Sequence, residues 1–166
     1  MRSTALVTGA SDGIGQEVAR QLARAGWDVA VHYNRNRAGA DLTAQAVTEA
    51  GGRAVVLQAD LSSPEGAMRL AADYDAAFGR LDVLYNNAGA ARMGESVQAV
   101  TAEDFDAVMH LHVRAAMFGI KHAAPVMQKQ GGGSIISTAS VAGLQMGYGP
   151  FLYSVAKAAI IHMTRL

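Results

Sequence analysis

Thr8-Gly9-Ala10-Ser11-Asp12-Gly13-Ile14-Gly15 is the stretch on which the fold decision rests. It follows the short apolar run Ala5-Leu6-Val7-Thr8, which reads as a strand. It precedes a segment in which Ile14, Val18 and Leu22, backed by Ala19 and Ala23, share one helical face as far as Gly26. A strand entering a helix through a glycine-rich turn is the first half of a βαβ unit.

The same alternation continues outward from this turn. Val29-Ala30-Val31 is a second strand, residues 38–50 a small-residue helix ending at Gly51-Gly52, and Ala54-Val55-Val56-Leu57 a third strand. Ser63-Pro64-Glu65 reads as N-cap, first helical residue and first-turn acid ahead of the stripe Ala67, Leu70, Ala71, Tyr74, Ala77 and Phe78. Leu81 to Tyr85 is a fourth strand. Thr101-Ala102-Glu103-Asp104 opens a long helix to about Gln130, Ser134 to Thr138 is a fifth strand, and a last helix starts near Leu152. Strands and helices in alternation imply right-handed crossovers and a parallel sheet covered on both faces, an α/β fold.

Composition sets the limits on function. The 166 residues carry 14 Lys+Arg against 14 Asp+Glu, so no basic excess exists to drive phosphate-led nucleic-acid binding. Hydrophobic residues make up 51%, which excludes a disordered chain and supplies one core for a single domain over 1–166. No apolar run approaches the ~20 residues of a membrane span. Zero cysteines remove disulfides, thiolate metal sites and cysteine nucleophiles, in keeping with a cytoplasmic setting. The 33 alanines and 18 glycines point to close helix-on-sheet packing and to backbone approach to a ligand.

Three groups of residues carry chemistry. In the turn Thr8–Gly15, glycines let backbone amides approach a pyrophosphate at a helix N-terminus; a plain strand-to-helix turn is the alternative. Tyr153 and Lys157 stand one helical turn apart, where an ammonium beside a phenol stabilises the phenolate and makes a general acid/base; the alternative is a surface pair. Ser140 lies at the carboxyl end of the fifth strand, where open α/β sheets bind ligands, or is simply a turn serine.

The T-G-x-x-x-G-x-G spacing of Thr8–Gly15, Asn86-Asn87-Ala88-Gly89 after the fourth strand, and Ser140 thirteen residues before Tyr153-x-x-x-Lys157 together resemble the short-chain dehydrogenase/reductase family. The resemblance covers Leu6 to Leu166. It implies a Rossmann-type doubly wound sheet with strand order 3-2-1-4-5 and hydride exchange between a nicotinamide dinucleotide and a carbonyl or secondary alcohol. It places Gly9, Ser11, Asp12, Gly13, Ile14 and Gly15 at the pyrophosphate, and Tyr33, Asn34 and Arg35 at the adenosine ribose. Asp60 and Leu61 fall at the adenine, with Asn87, Ala88 and Gly89 on the adenosine side, unless Asn86 and Asn87 merely brace the sheet. Tyr153 exchanges the proton, Lys157 assists it and holds the nicotinamide ribose, and Ser140 bonds the substrate oxygen. It also implies a homo-oligomer assembled through the long helix (102–130) and the Tyr153 helix.

Two departures from the family pattern stand out. The long helix of the family carries an Asn that supports a water relay to the lysine; here that position is His112, a relay residue of different shape or a packed core histidine. His110, two residues away, faces elsewhere, so the two do not form a metal pair. The chain is also shorter than the family's members. The expectation is that C-terminal strands and the substrate-covering segment are missing, that the fifth strand forms an apolar edge, and that these 166 residues alone turn over poorly. Alternatives to an enzyme are a dinucleotide-binding module without turnover and an assembly unit. For the cofactor, the second strand ends His32-Tyr33-Asn34-Arg35-Asn36-Arg37 with no acid and two arginines. That favours the 2′-phosphate of NADP(H) over NAD(H), against which Asp12 stands where NADP-using relatives carry a basic residue; the alternative is that Arg35 and Arg37 are solvated loop charges.

Overall fold

The computed structural model describes residues 2–90 and 96–166. Alternation of β-branched and small residues builds β1 (Thr4–Val7), β2 (Asp28–Tyr33), β3 (Ala54–Gln58), β4 (Val83–Asn86) and β5 (Ser134–Ser137). They form one parallel sheet in the order β3-β2-β1-β4-β5. Between them run α1 (Gly13–Arg24), α2 (Arg37–Glu49), α3 (Pro64–Phe78), α4 (Ala102–Met109), α5 (Ala115–Gln130) and α6 (Phe151–Met163).

Strand pleating divides the core. Val7, Val29, Val31 and Tyr33 pack against Ala19 and Ala23 of α1 and Ala40 and Val47 of α2. The alternate residues Leu6, Ala30 and Leu84 pack on the opposite face against Leu70 and Tyr74 of α3 and Ala123 and Met127 of α5. Alanines 19, 23 and 40 are fully buried, which lets α1 and α2 sit close to the sheet. A cavity of ≈ 70 Å³ remains between α3, α5 and the sheet, with Leu84 and Tyr74 in its wall.

The helix starts follow from local chemistry. Ser63 accepts the Gly66 amide at 3.0 Å with Pro64 as the first helical residue of α3, and Gly79 ends that helix at φ 67. Thr101 and Asp104 form the reciprocal capping box of α4.

One expectation needs correcting. The helix over 102–130 runs without a break but is not uniformly α: a π-helical turn, His110–Arg114, lies between α4 and α5. It gives the backbone one wider turn, in which His112 is buried and Arg114 reaches the Ser62 carbonyl. The fourth and fifth strands also shift by a residue or two, to Val83–Asn86 and Ser134–Ser137. β5 lies at the edge of the sheet, with Ile135 against the core and Ile136 45% exposed. Among the described residues no helix is long and apolar enough to cross a membrane.

Leu84 is 2% exposed on a central strand beside an existing cavity. Leu84→Ala should therefore destabilise the chain by about 2–5 kcal/mol in urea unfolding, and a loss under ~1 kcal/mol would mean that the site collapses around the gap.

Candidate active site

The carboxyl ends of β1, β4 and β5 converge, and a lattice of hydrogen bonds fixes the turn after β1. The Thr8 hydroxyl donates to the Tyr85 carbonyl at 3.2 Å and accepts the amides of Asn87 and Ala88 at 2.9 and 3.0 Å. The Asn87 side chain donates back to the carbonyls of Thr8 and Gly9 at 3.1 and 3.2 Å. On the other flank the Thr43 hydroxyl of α2 donates to the Ala10 carbonyl at 2.9 Å. Asn87 therefore acts through its side chain as a brace, the alternative left open for it by the sequence.

Glycine is required twice here. A β-carbon on Gly15 would lie 2.3 Å from the Gly9 carbonyl oxygen, and Gly13 adopts φ +51 with open space in front of it. Asp12 caps α1 without a side-chain bond, and the first bond into the helix runs from the Gln16 amide to the Asp12 carbonyl. The amides of Gly13, Ile14 and Gly15 thus precede the helical ladder at the positive end of the helix dipole. Ile14 is 61% exposed above them. Open space in front of Gly13, amides outside the helical ladder and an apolar lip fit a pyrophosphate-bearing dinucleotide.

The remaining cofactor candidates spread along the same rim. Asn34 and Arg35 are exposed just past β2, whereas Tyr33 is buried beneath them. Arg37 is exposed and paired along α2: its Nε donates to both oxygens of Asp41 at 2.8 and 2.9 Å, and its guanidinium lies over the Tyr33 ring. Asp60 sits two residues beyond β3, where the Ser62 hydroxyl and amide hold its carboxyl below the usual range. Leu61 is a core residue, so its side chain belongs to the packing.

The catalytic candidates meet on α6. Lys157 is 6% exposed and donates to the Thr138 carbonyl at 2.6 Å, with its nitrogen 5.5 Å from the centre of the Tyr153 ring. Burial pushes the Lys157 ammonium below the ordinary lysine range. His112 meets the Tyr153 ring edge-on, with centroids 5.5 Å apart. Its Nε2 lies 3.1 Å from the Ala90 carbonyl, and its buried Nδ1 has no partner among the described residues. Burial and the nearby Lys157 depress its pKa, so its ring resists protonation. Gly89 must lack a side chain because a β-carbon there would lie 2.7 Å from the His112 ring. His110 points away and pairs with Asp106 at 3.8 Å, as two-residue spacing on a helix requires. Thr8, His112, Thr138 and Lys157 share the wall of a cavity of ≈ 20 Å³, which joins the two halves of the site.

Ser140 lies three residues past β5 and heads the short turn Val141–Gly143, its hydroxyl oxygen accepting the Ala142 amide at 3.2 Å. That turn rests on α6, where a β-carbon on Gly143 would lie 2.6 Å from the Lys157 carbonyl carbon. The turn-serine role and the site role are thus both open to one hydroxyl, since accepting from Ala142 leaves its proton free to donate.

The family model described as short chain dehydrogenase matches residues 3–166. The chain belongs to the short-chain dehydrogenase family. Within it, a 3-oxoacyl-acyl-carrier-protein reductase of Synechocystis sp. is 37% identical over 161 residues, covering 97% of this chain and 65% of the relative. A short chain dehydrogenase from Burkholderia cenocepacia, solved in complex with NADP, superposes with TM-score 0.90 at 35% identity, over 98% of this chain and 66% of that one. The NADH-dependent reductase A1-R′, complexed with NAD, superposes with TM-score 0.92 at 29% identity, over 99% and 70%. The chain therefore spans about two thirds of the length of these short-chain dehydrogenases.

Sequence reasoning gave no role to three residues that shape this site: Thr8, which it placed only in the motif, Thr43, and His32. His32 is 1% exposed on β2, with Nδ1 accepting the Gly9 amide at 3.0 Å and Nε2 3.1 Å from the Ala59 carbonyl. Burial pushes its pKa down to about 4 from 6.5. As pH falls, the unfolded chain takes up this proton first, so the stability His32 contributes is complete above about pH 6.5. It is lost progressively as pH falls from about 6.5 to about 4, to a total of roughly 3 kcal/mol, with His112 acting in the same direction. Urea unfolding at pH 7 and pH 4.5 should show this loss in the wild type and a shallower one in His32→Gln.

Proposed function

We propose that this short-chain dehydrogenase interconverts a small-molecule carbonyl and a secondary alcohol, with Tyr153 as general acid/base. The observation that carries the reading is the buried Lys157, fixed by the Thr138 carbonyl at 2.6 Å and set against the Tyr153 ring, at the same sheet ends as the glycine-rich start of α1, Gly13–Gly15. A nicotinamide dinucleotide, when bound, supplies or accepts the hydride.

The chain's own residues supply binding and the proton. Gly13, Ile14 and Gly15 take the pyrophosphate; Asn34, Arg35 and Asp60 flank the adenosine. In reduction, the Tyr153 hydroxyl gives its proton to the substrate oxygen while the Lys157 charge stabilises the phenolate left behind. Ser140 donates its remaining proton to the same oxygen and so orients the carbonyl. His112 takes an orienting role: with Nε2–H directed to the Ala90 carbonyl, its Nδ1 lone pair remains as a hydrogen-bond acceptor beside Tyr153.

Cofactor choice leans to NADP(H). With Arg37 bound to Asp41, Arg35 is the guanidinium left to meet a 2′-phosphate. A second reading, assembly of copies through α4, α5 and α6, is favoured by the apolar residues Phe105, Met117, Phe151 and Val155, each 41–49% exposed on those helices.

Tyr153→Phe should lower turnover of ketones with NADPH by ~10²–10⁴ while dinucleotide affinity changes little; near-wild-type rates would sink the assignment. Arg35→Ala should weaken NADPH binding by several-fold more than NADH binding, because only NADPH loses a charge-assisted contact, and calorimetric titration with both distinguishes this from an equal loss.

A further inference from the structure

His32 belongs to none of the motifs that place the active site, yet it touches the residues that frame it. Its Nδ1 accepts the Gly9 amide at 3.0 Å, and its own carbonyl accepts the Ala10 amide at 2.8 Å. Two successive amides at the start of the turn therefore end on one residue of the neighbouring strand. Across the ring, Nε2 meets the carbonyl of Ala59, the residue before Asp60. The partners dictate the tautomer, because an amide N–H can only donate and a carbonyl can only accept. The ring is neutral, with the proton on Nε2.

A β-branched residue at this point of β2 would satisfy strand packing equally well. It would also leave one donor and one acceptor without partners in the interior. We propose that His32 is a positioning residue for the dinucleotide site, locking the glycine-rich turn and the loop that carries Asp60 into one frame. The inference rests on the dinucleotide reading given above. The amides of Gly13–Gly15 and the Asp60 carboxylate grip opposite ends of the same adenosine diphosphate moiety, so their separation must be held. A protonated ring would set its Nδ1–H against the Gly9 N–H and break the frame. Burial opposes that protonation, whereas the Asp60 carboxylate favours it; the Arg35 guanidinium faces Asp60 in turn.

The test is calorimetric titration of the wild-type chain, His32→Gln and His32→Leu with NADPH and with NADH, at a temperature where all three are folded. A glutamine amide carries an acceptor and a donor about as far apart as the two ring nitrogens, so His32→Gln should stay within about threefold of wild type. His32→Leu should bind both dinucleotides at least roughly tenfold more weakly, since they share the pyrophosphate and the adenosine. Imidazole ¹⁵N shifts of the wild type should show the Nε2–H tautomer, unchanged from about pH 5.5 to 8. Equal affinity of wild type and His32→Leu, or an Nδ1–H ring, overturns the role of His32 while leaving dinucleotide binding intact. A wild-type chain that binds neither dinucleotide overturns both. If His32→Leu does not fold, the decision passes to His32→Gln and the tautomer, and a glutamine variant as weak as a tenfold loss overturns the proposal.

Discussion

The carboxyl ends of β1 and β4 approach each other so closely that a β-carbon on Gly9 would lie 2.9 Å from the Ala88 α-carbon. Everything at the upper rim of the sheet depends on that contact. It lets the Asn87 side chain reach two carbonyls of the opposite turn and the Thr8 hydroxyl hold two amides in return. Each turn satisfies the other's backbone, so neither needs a ligand to stay in place. The turn after β1 is thus held from both sides, and Asp12, Gly13 and Ile14 at the start of α1 remain exposed.

The second half of the site is held by a different device. Lys157 is a buried cation anchored on a backbone carbonyl, and its neighbour His112 is a buried ring kept neutral by desolvation. A neutral imidazole beside a lysine avoids the repulsion that two charges would suffer in a low-dielectric setting. The arrangement concentrates protonic groups around Tyr153 without accumulating charge there.

Much of this was legible in the sequence, and the reasons are local. The alternation of Val29-Ala30-Val31 with alanine-rich helices, the Ser63-Pro64 start and the Thr101–Asp104 box each act within a few residues, so the elements could be anticipated from them, while the strand order came from the family resemblance. A bracing role for Asn87 was open, but its partner Thr8 and the second brace from Thr43 were not legible, because these bonds join residues separated by 33 to 80 positions. His32 escaped notice because a histidine in a β-rich run carries no signature until its two partners are known. The π-helical turn at His110–Arg114 was missed since helical periodicity from Ala102 to Gln130 gives no sign of one wider turn. Arg37 looked available for a phosphate only because its partner, Asp41, becomes a neighbour when α2 forms.

That wider turn also sets a phase. An α-helix advances about 100° per residue, so one additional residue in the path rotates everything downstream by that angle. α4 can then direct Val108 into a seam with Leu152 and Ala156 of α6, while α5 directs Ala123 and Met127 onto the sheet and α3. A single stretch of chain thereby serves two docking directions, and the residue at the pivot is His112. The ring beside Tyr153 is thus placed by the gearing of two helices, and its orientation is tied to how each of them is seated.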